Sequence, residues 1–276
     1  MRFPRYWAKG SSAGSSPPVS CWRWSESSMS DAQDRADTRA AELSQRLQDG
    51  EGLNHYDYGD GAIREEIVQT LGPDQNAPIA VVTRNAYGAL VLNAASAMFI
   101  DVDFPAHSKV GSLFRGLMGK KTSDPQESAL AGLRDWAKRH GGLGMRIYRT
   151  CAGLRALVTS RTFDPTDSST IDLLRDAASD PLYIRLCQNQ QCFRARLTPK
   201  PWRCNFPKPP SRYPWQMAAQ ESAFRVWQSK YEQKIQAYCA CRFIEHVGGA
   251  GIDVDIQPVL ALHDQISGVS ADRPLA

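Results

Sequence analysis

The feature that most constrains the fold is an apolar stretch that runs from Pro78 to Pro105 and ends in two closely spaced acids. The stretch is rich in valine, isoleucine and alanine, and its apolar runs are short, which is typical of buried strands. Its longest apolar run, Ala94 to Ile100, falls far short of the roughly 20 residues that a bilayer crossing requires. We therefore expect a buried sheet in the middle of the chain and no membrane-spanning helix.

Helical patterns flank this stretch. Ser30 and Gln33 form a capping box that predicts a helix over residues 31–49, and Asp124 followed by Pro125 predicts the start of another. The other predicted elements, in chain order, are a hairpin of residues 5–9 and 19–24, a helix at 62–71, strands at 145–148 and 154–159, a helix at 169–178, strands at 182–186 and 193–197, a helix at 216–236 and a strand near 238–245. This mixture predicts an α+β fold.

The domain prediction separates an N-terminal region from a core. Residues 1–76 are predicted to form a hairpin and an acidic helical segment that packs on the core, residues 77–265 the α+β core, and residues 266–276 a disordered tail. Because no apolar segment follows the basic N-terminus, we expect no secretory signal and a cytoplasmic protein. Seven cysteines in a chain of 276 residues do not imply a disulfide framework. The sequence leaves the oligomeric state open.

Charge is distributed unevenly along the chain. Residues 27–76 contain eleven Asp and Glu against four Arg, whereas residues 141–215 contain twelve Lys and Arg against five Asp. A field of a single sign attracts phosphate, and this favours an anionic partner for the basic segment. A solvated basic face, or one that pairs with the acidic region of the same chain, is the alternative.

The two acids at the end of the apolar stretch are Asp101 and Asp103, in the sequence MFIDVDFP. Because positions i and i+2 of a strand point to the same face, the two carboxylates should lie side by side and repel each other. Such a pair is costly beside a buried sheet unless a cation or several donors offset it. Two hard oxygen ligands suit Mg²⁺ or Mn²⁺ that bridges to a phosphate. Two solvated acids at a strand end are the alternative.

Two downstream segments carry candidate phosphate ligands. In YRTCAGLRALVTS, cationic and hydroxyl side chains surround a glycine-containing turn, where backbone N–H groups and guanidinium groups can hold phosphates. In FRARLTPKPWR, two arginines share one face of a strand, and an anionic partner would offset their repulsion. An exposed hairpin and a solvated edge strand are the respective alternatives. The candidate ligands are Arg149, Thr150, Arg155, Arg194, Arg196 and Lys200.

The order of these motifs resembles the polymerase core of the archaeo-eukaryotic primase superfamily, over roughly residues 80–205. The resemblance rests on an hhhDhD strand, a strand turn of the form T-x-x-G-L-x, and an acid upstream of an FRxR…K strand. It implies a primase/RRM-like mixed, largely antiparallel sheet flanked by helices. It also implies a nucleotidyltransferase that binds a nucleoside triphosphate and DNA or RNA. By the same resemblance Asp101, Asp103 and Asp180 would be the catalytic ligands of two metal ions, Mg²⁺ or Mn²⁺.

This chain departs from the family pattern at two positions. Arg155 stands where the family has histidine, and Asp180 is assigned by its spacing before Phe193 alone. A catalytically inactive nucleotide- or nucleic-acid-binding module on the same scaffold is therefore the alternative function. Trp202 or Trp215 could stack a base, with packing in the core as the alternative. The whole chain also resembles a group of bacterial proteins, and that similarity implies no activity.

Three weaker patterns also contain residues that bind metals in other proteins. Asp253 and Asp255 repeat the D-x-D spacing, either as solvated turn acids or as a rival to Asp180. The dipeptide His263-Asp264 is similar to one found in metal phosphohydrolases, although a surface position is favoured. Five cysteines could supply a zinc site, although their spacing is not that of a zinc knuckle; they are Cys187, Cys192, Cys204, Cys239 and Cys241.

Overall fold

The computed structural model describes residues 1–12, 18–50, 62–74, 77–105, 124–249 and 251–276. The tip of the predicted N-terminal hairpin, and residues 51–61 and 75–76 of the predicted N-terminal region, lie outside the described residues. The chain divides into two compact units, Met1–Glu66 and Ile67–Ala276. Among the helices that the structure describes, none is long and apolar enough to cross a membrane.

The N-terminal unit is a hairpin with a helix packed against it. Its elements are β1 (Tyr6–Ser11), β2 (Ser20–Ser25) and α1 (Met29–Gln48). The two strands are antiparallel, so the predicted hairpin and helix are both confirmed. The helix is capped by Ser28, whose hydroxyl accepts a hydrogen bond from Asp31 N at 3.1 Å. The capping box predicted at Ser30 is therefore wrong by two residues, because several serines in a row offer equivalent caps.

Small residues let this helix lie close to the hairpin. Ala32, Ala36 and Ala40 are fully buried along one face of α1. At Gly10 in β1, an added Cβ would lie 2.2 Å from the carbonyl carbon of Ala36. Glycine is therefore required at position 10 by the close approach of the two backbones.

In its described residues, the C-terminal unit contains eight strands in two four-stranded sheets. The first sheet has the order β3-β4-β5-β9 and the second has the order β10-β7-β8-β6, and the registers resolved in both are antiparallel. The strands are β3 (Glu66–Leu71), β4 (Ala80–Arg84), β5 (Leu90–Ala94), β6 (Phe99–Asp103), β7 (Met145–Thr150), β8 (Gly153–Val158), β9 (Phe193–Arg196) and β10 (Cys241–Val247). The predicted α+β class with largely antiparallel sheets is confirmed, with the strands divided between two sheets.

Five helices among the described residues accompany these sheets. They are α2 (Pro125–Arg139), α3 (Ser168–Asp176), α4 (Pro181–Gln190), α5 (Ala218–Ile235) and α6 (Gln257–Ser267), with a short 3₁₀ helix at Pro201–Cys204. One hydrophobic core joins both sheets: Leu92 and Phe193 come from the first, Phe99 and Leu157 from the second, and Trp136 from α2. This shared core fixes β9 of one sheet relative to β6 and β8 of the other.

Two predicted elements have the wrong type. Residues 66–71, predicted as part of a helix, form β3, in line with the extended preference of the β-branched residues Ile67, Val68 and Thr70. Residues 182–186, predicted as a strand, lie in α4, which begins at an Asp-Pro pair of the same kind that starts α2. Five alternating residues fit either period, so the cap was the more informative signal.

The last residues of the chain are ordered along the start of β10. Cys239 N donates to Pro274 O at 3.1 Å, and Ala276 N donates to Cys239 O at 3.1 Å. Ala276 is 2% exposed, and α6 continues to Ser267. The prediction of a disordered tail at residues 266–276 is therefore corrected, because backbone pairing that a sequence pattern does not reveal holds this segment in place.

Candidate functional site

The predicted acidic pair lies at the end of β6 and faces an arginine of β8. In the antiparallel register Asp101 lies opposite Arg155, and Asp103 lies opposite Gly153. Asp101 Oδ1 is 3.7 Å from Arg155 Nε, with side chains that are 35% and 5% exposed. The acidic pair is therefore reachable from solvent, whereas the arginine beside it is almost completely buried.

Asp180 is brought to the same place by backbone hydrogen bonds. Asp180 N donates to Asp101 O at 2.9 Å, and the preceding Ser179 hydroxyl donates to the same carbonyl at 3.2 Å. The Asp180 side chain caps α4, because its Oδ1 accepts a hydrogen bond from Tyr183 N at 2.8 Å. The third acid assigned by spacing thus lies next to the first, with one carboxylate oxygen engaged by the helix.

The close spacing of the three acids affects the ionisation of Asp103. Burial raises the pKa of Asp103, and the negative charges of Asp101 and Asp180 raise it further. Lys200 and Arg203 oppose this rise. The three carboxylates therefore repel one another electrostatically, as the sequence predicts for the first two.

The raised pKa of Asp103 predicts a pH-dependent gain in stability for Asp103→Asn. A carboxyl with a raised pKa in the folded state penalises folding above that pKa, and the penalty disappears below the unfolded value of about 3.9. We expect the variant to unfold at a higher temperature than the wild type at pH 7. The difference should shrink as the pH falls and be lost near pH 3.5, as measured by thermal unfolding between pH 3 and pH 8.

Asp164→Asn is the matched control for that measurement. Hydrogen bonds from the Thr166 side chain and backbone lower the pKa of Asp164, so its charge favours folding at neutral pH. The asparagine should therefore lower the unfolding temperature at pH 7, and the difference should fade as the pH falls. If Asp103→Asn shows the same sign as this control, Asp103 is not under repulsion from its neighbours.

Arg155 connects the two sheets beneath the acids. Its Nη1 donates to the carbonyl oxygen of Arg196 in β9 at 2.8 Å. Its Nε is buried, and within the described part of the chain it has no hydrogen-bond partner. A buried guanidinium N–H without an acceptor is costly. Arg155 is therefore held in position with a donor still available at the face that carries Asp101.

Three further cations, Arg196, Lys200 and Arg203, interact with one another, and Arg196 also interacts with Arg155. Burial lowers the pKa of Arg196 to about 10, and repulsion by Arg155 and Arg203 adds to this effect. Burial likewise lowers the pKa of Lys200, with repulsion by Arg196 and Arg203. We call the seven residues Asp101, Asp103, Asp180, Arg155, Arg196, Lys200 and Arg203 the charged cluster. Its cations repel one another, and a bound anion would offset this repulsion.

Arg203 belongs to this cluster although it is not among the candidate ligands predicted from the sequence. It lies in the 3₁₀ helix that begins after Lys200, and it acts on the ionisation of Asp103, Arg196 and Lys200. Its signal in the sequence is its place three residues after Lys200 in the segment TPKPWR, where one turn of 3₁₀ helix returns a side chain to the same side.

The other predicted phosphate ligands are engaged locally. Arg149 Nη1 donates to Gly153 O at 2.8 Å and to the carbonyl of Thr150, and its guanidinium lies 4.5 Å from the centre of the Phe104 ring. Thr150 Oγ1 accepts a hydrogen bond from Gly153 N at 3.1 Å. Arg194 Nη1 donates to Gln190 Oε1 at 2.5 Å. Arg149 and Thr150 thus shape the β7–β8 turn next to Asp103, and Arg194 bonds to α4.

The predicted metal ligands do not form a group of three in the described ranges. In the described ranges, no three His, Cys, Asp or Glu side chains form a group that could hold a metal ion. This applies to the three acids of the charged cluster and to the five cysteines considered for zinc. Asp253 Oδ1 accepts a hydrogen bond from Asp255 N at 2.9 Å, which is the geometry of a turn. The described residues therefore do not assemble a centre with three protein ligands.

A buried polar network lies on the β7 side of Arg155. Tyr148, the cross-strand partner of Arg155, donates its hydroxyl to Asp264 Oδ1 at 2.7 Å, and Arg146 Nη2 donates to Asp264 Oδ2 at 3.0 Å. His263 Nδ1 is 2.9 Å from Asp264 Oδ1, and His263 is 0% exposed. Burial lowers the pKa of His263, against the opposing effect of Asp264. The surface position favoured for this dipeptide is therefore wrong, since α6 packs it into the core.

Comparisons with known proteins provide no further assignment. No protein-family model, no curated protein and no solved structure matches this chain.

Proposed function

We propose that the protein binds a nucleoside polyphosphate at the charged cluster. The observation that carries this proposal is a group of cations with buried donors: Arg155 Nη1 donates to Arg196 O at 2.8 Å, and the Nε atoms of Arg155 and Arg196 are buried without a hydrogen-bond partner among the described residues. In agreement with this geometry, burial and neighbouring positive charge lower the pKa of both Arg196 and Lys200. Grouping cations in this way opposes folding, and a bound polyanion removes the penalty because it meets all of them at once. A polyphosphate chain supplies several charged oxygens within the span of such a cluster.

The two halves of the cluster suit different parts of a nucleotide. Arg155, Arg196, Lys200 and Arg203 offer N–H donors to phosphate oxygens, and the Nε atoms of the two buried arginines lack hydrogen-bond partners among the residues that the structure describes. Asp101 and Asp103 would repel bare phosphates. Nucleoside triphosphates carry Mg²⁺ with them, however, and such an ion suits a pair of carboxylates.

The separation of the cluster into carboxylates and cations suits a metal ion that arrives with the nucleotide. Phosphate oxygens and water would then supply the remaining ligands of the ion. Mg²⁺ characteristically binds proteins through one or two carboxylates plus substrate phosphates. When bound, the ion offsets negative charge on the phosphates. Asp180 would act on this pair through its charge while its side chain caps α4.

Nucleotidyl transfer to the end of a DNA or RNA strand is the reaction that the resemblance implies for this site. In that reaction Lys200 and Arg203 would offset the charge that develops on the leaving pyrophosphate. A cytoplasmic location, where both substrates occur, belongs to the same proposal. The catalytically inactive nucleotide- or nucleic-acid-binding module remains the alternative, and it uses the same cations.

Calorimetric titration with ATP and with inorganic tripolyphosphate, each with magnesium, tests the proposal. We expect both ligands to bind, with affinities that fall as salt is added, and adenosine not to bind. At a ligand concentration one hundred times Kd the folded state should gain about 2.7 kcal/mol, which is measurable as a rise in the unfolding temperature. If neither ligand gives heat or a thermal shift at low salt, the charged cluster is not a polyphosphate site.

A further inference from the structure

An exposed aromatic pair lies beside the charged cluster. Trp202 is 44% exposed and Tyr87 is 39% exposed. Their ring centres are 4.9 Å apart and the rings are nearly perpendicular, at 88°. Large aromatic rings in water forgo a substantial hydrophobic gain, so an exposed pair at a charged site is suited to a planar ligand.

The other tryptophan considered for this role lies in a different setting. Trp215 packs in an aromatic cluster with Phe224, at a centroid distance of 5.2 Å, and with Tyr213 at 5.5 Å. Trp215 therefore serves the packing of α5, and of the two candidates Trp202 is the one that presents a ring to solvent.

The turn that carries Tyr87 is held rigidly. Asn85 Oδ1 accepts hydrogen bonds from Tyr87 N at 3.0 Å and from Ala89 N at 3.2 Å. Gly88 has a φ of +80°, and an added Cβ there would lie 2.3 Å from the Trp227 ring of α5. Both constraints fix the turn between β4 and β5, so little ordering entropy remains to be lost when a ligand contacts Tyr87.

Trp202 belongs to the same short segment as two cations of the cluster. Pro201 and Cys204 anchor the 3₁₀ helix in the interior, so the residues between them face outward. Lys200 Nζ lies 5.5 Å from the centre of the Trp202 ring, and it also interacts with Asp103 and Asp101. The aromatic ring and the phosphate-binding ammonium are therefore neighbours in space as well as in sequence.

We propose that Trp202, supported edge-on by Tyr87, stacks against the base of the nucleotide whose phosphates bind the charged cluster. This inference rests on the proposed function, and it adds a base subsite to it. Stacking on an aromatic ring accepts every base because each has a π-face. The site should therefore bind nucleotides with little preference among the bases, and the base should add affinity beyond that of the phosphates alone.

Calorimetry with Trp202→Ala tests the base subsite, using ATP and inorganic tripolyphosphate in parallel. We expect Trp202→Ala to lower the affinity for ATP by about 5- to 100-fold and to leave the affinity for tripolyphosphate unchanged within about twofold. Trp202→Phe keeps an aromatic face and should retain most of the ATP affinity. Met217→Ala removes another exposed apolar side chain and should leave both affinities unchanged.

The outcomes separate the base subsite from the phosphate site. If Trp202→Ala lowers the affinity for ATP and for tripolyphosphate equally, the ring only supports the charged cluster. If it lowers neither affinity, the base does not contact the ring. Both results overturn the base subsite while the phosphate site stands. If Trp202→Ala loses affinity for a single-stranded oligonucleotide while it binds ATP as the wild type does, the ring contacts a nucleic-acid strand. That result would overturn the assignment of Trp202 to the nucleotide. If the wild type binds neither ATP nor tripolyphosphate, the proposed function and the base subsite both fail.

Discussion

Arg196→Met is expected to make the fold more stable and to remove most of the affinity for polyphosphate. Burial and neighbouring cations lower the pKa of Arg196 to about 10, and this corresponds to a folding penalty of about 3 kcal/mol at neutral pH, where the group is charged in both states. Methionine has similar length and no charge, and replacing a buried ion by an apolar side chain is often stabilising. Thermal and denaturant unfolding should show the gain.

The same substitution should lower the affinity for tripolyphosphate by about 10- to 100-fold, because a charge-assisted hydrogen bond contributes about 1.5–3 kcal/mol. The carbonyl of residue 196 that accepts from Arg155 is retained, so the link between the two sheets stays. A substitution that stabilises the fold and weakens binding indicates that the original residue serves ligand binding rather than stability. A destabilised protein, or one that binds tripolyphosphate as the wild type does, would contradict this interpretation.

Arg194→Met provides the matched comparison on the same strand. Arg194 lies two residues before Arg196 in β9, and its guanidinium donates to Gln190 of α4. Removing it takes away the same formal charge from the same strand while the charged cluster stays intact. We expect no stabilisation and less than about a threefold change in tripolyphosphate affinity, so a loss equal to that of Arg196→Met would mean that net charge alone controls binding.

Asp101→Asn is expected to lower the rate of nucleotide addition to an oligonucleotide end by at least about 100-fold, a typical cost of losing one group that stabilises a transition state. The carboxylate is half of the pair that would meet the ion carried by the triphosphate. Without Mg²⁺, the affinity for tripolyphosphate should be unchanged or higher, since a negative charge is removed from the phosphate site. Single-turnover incorporation of a labelled nucleotide with Mg²⁺ or Mn²⁺, beside calorimetry, measures both effects.

Asp255→Asn is the control, because Asp253 and Asp255 have the same D-x-D spacing in a turn before α6. It should leave incorporation unchanged. Equal rates in wild type and Asp101→Asn would exclude Asp101 from the reaction. If the wild type binds nucleotides with no incorporation on any primed DNA or RNA, nucleotidyl transfer is contradicted and the inactive binding module is supported.

Part of the charged cluster was predictable because strand geometry is local. Alternation along β6 places Asp101 and Asp103 on one face, and no knowledge of the remaining chain is needed for that inference. The register that sets Asp101 opposite Arg155 comes from pairing between distant segments. The roles of Arg149 and Arg194 also could not be read from the sequence, because the acceptors that hold them belong to their folded surroundings.

Errors in the predicted elements have a similar origin. Residues 182–186 alternate over too few positions to distinguish a helix from a strand, and the Asp180 cap before Pro181 was the better guide. Residues 266–276 are predicted to be a disordered tail, yet their backbone pairs with Cys239. Pairing between segments far apart in sequence leaves no periodic signal in either segment.

Hydrophobic periodicity, capping residues and local charge depend on neighbours along the chain, so they were enough to predict the α+β class, most of the helices, the central strands, the acidic pair and the basic segments. The folded chain was needed to show which cations join the acids, that Arg203 belongs with them and that Trp202 rather than Trp215 is exposed. The core shared by both sheets sets β9 and the segment after it against β6 and β8, and burial then determines which charges perturb one another.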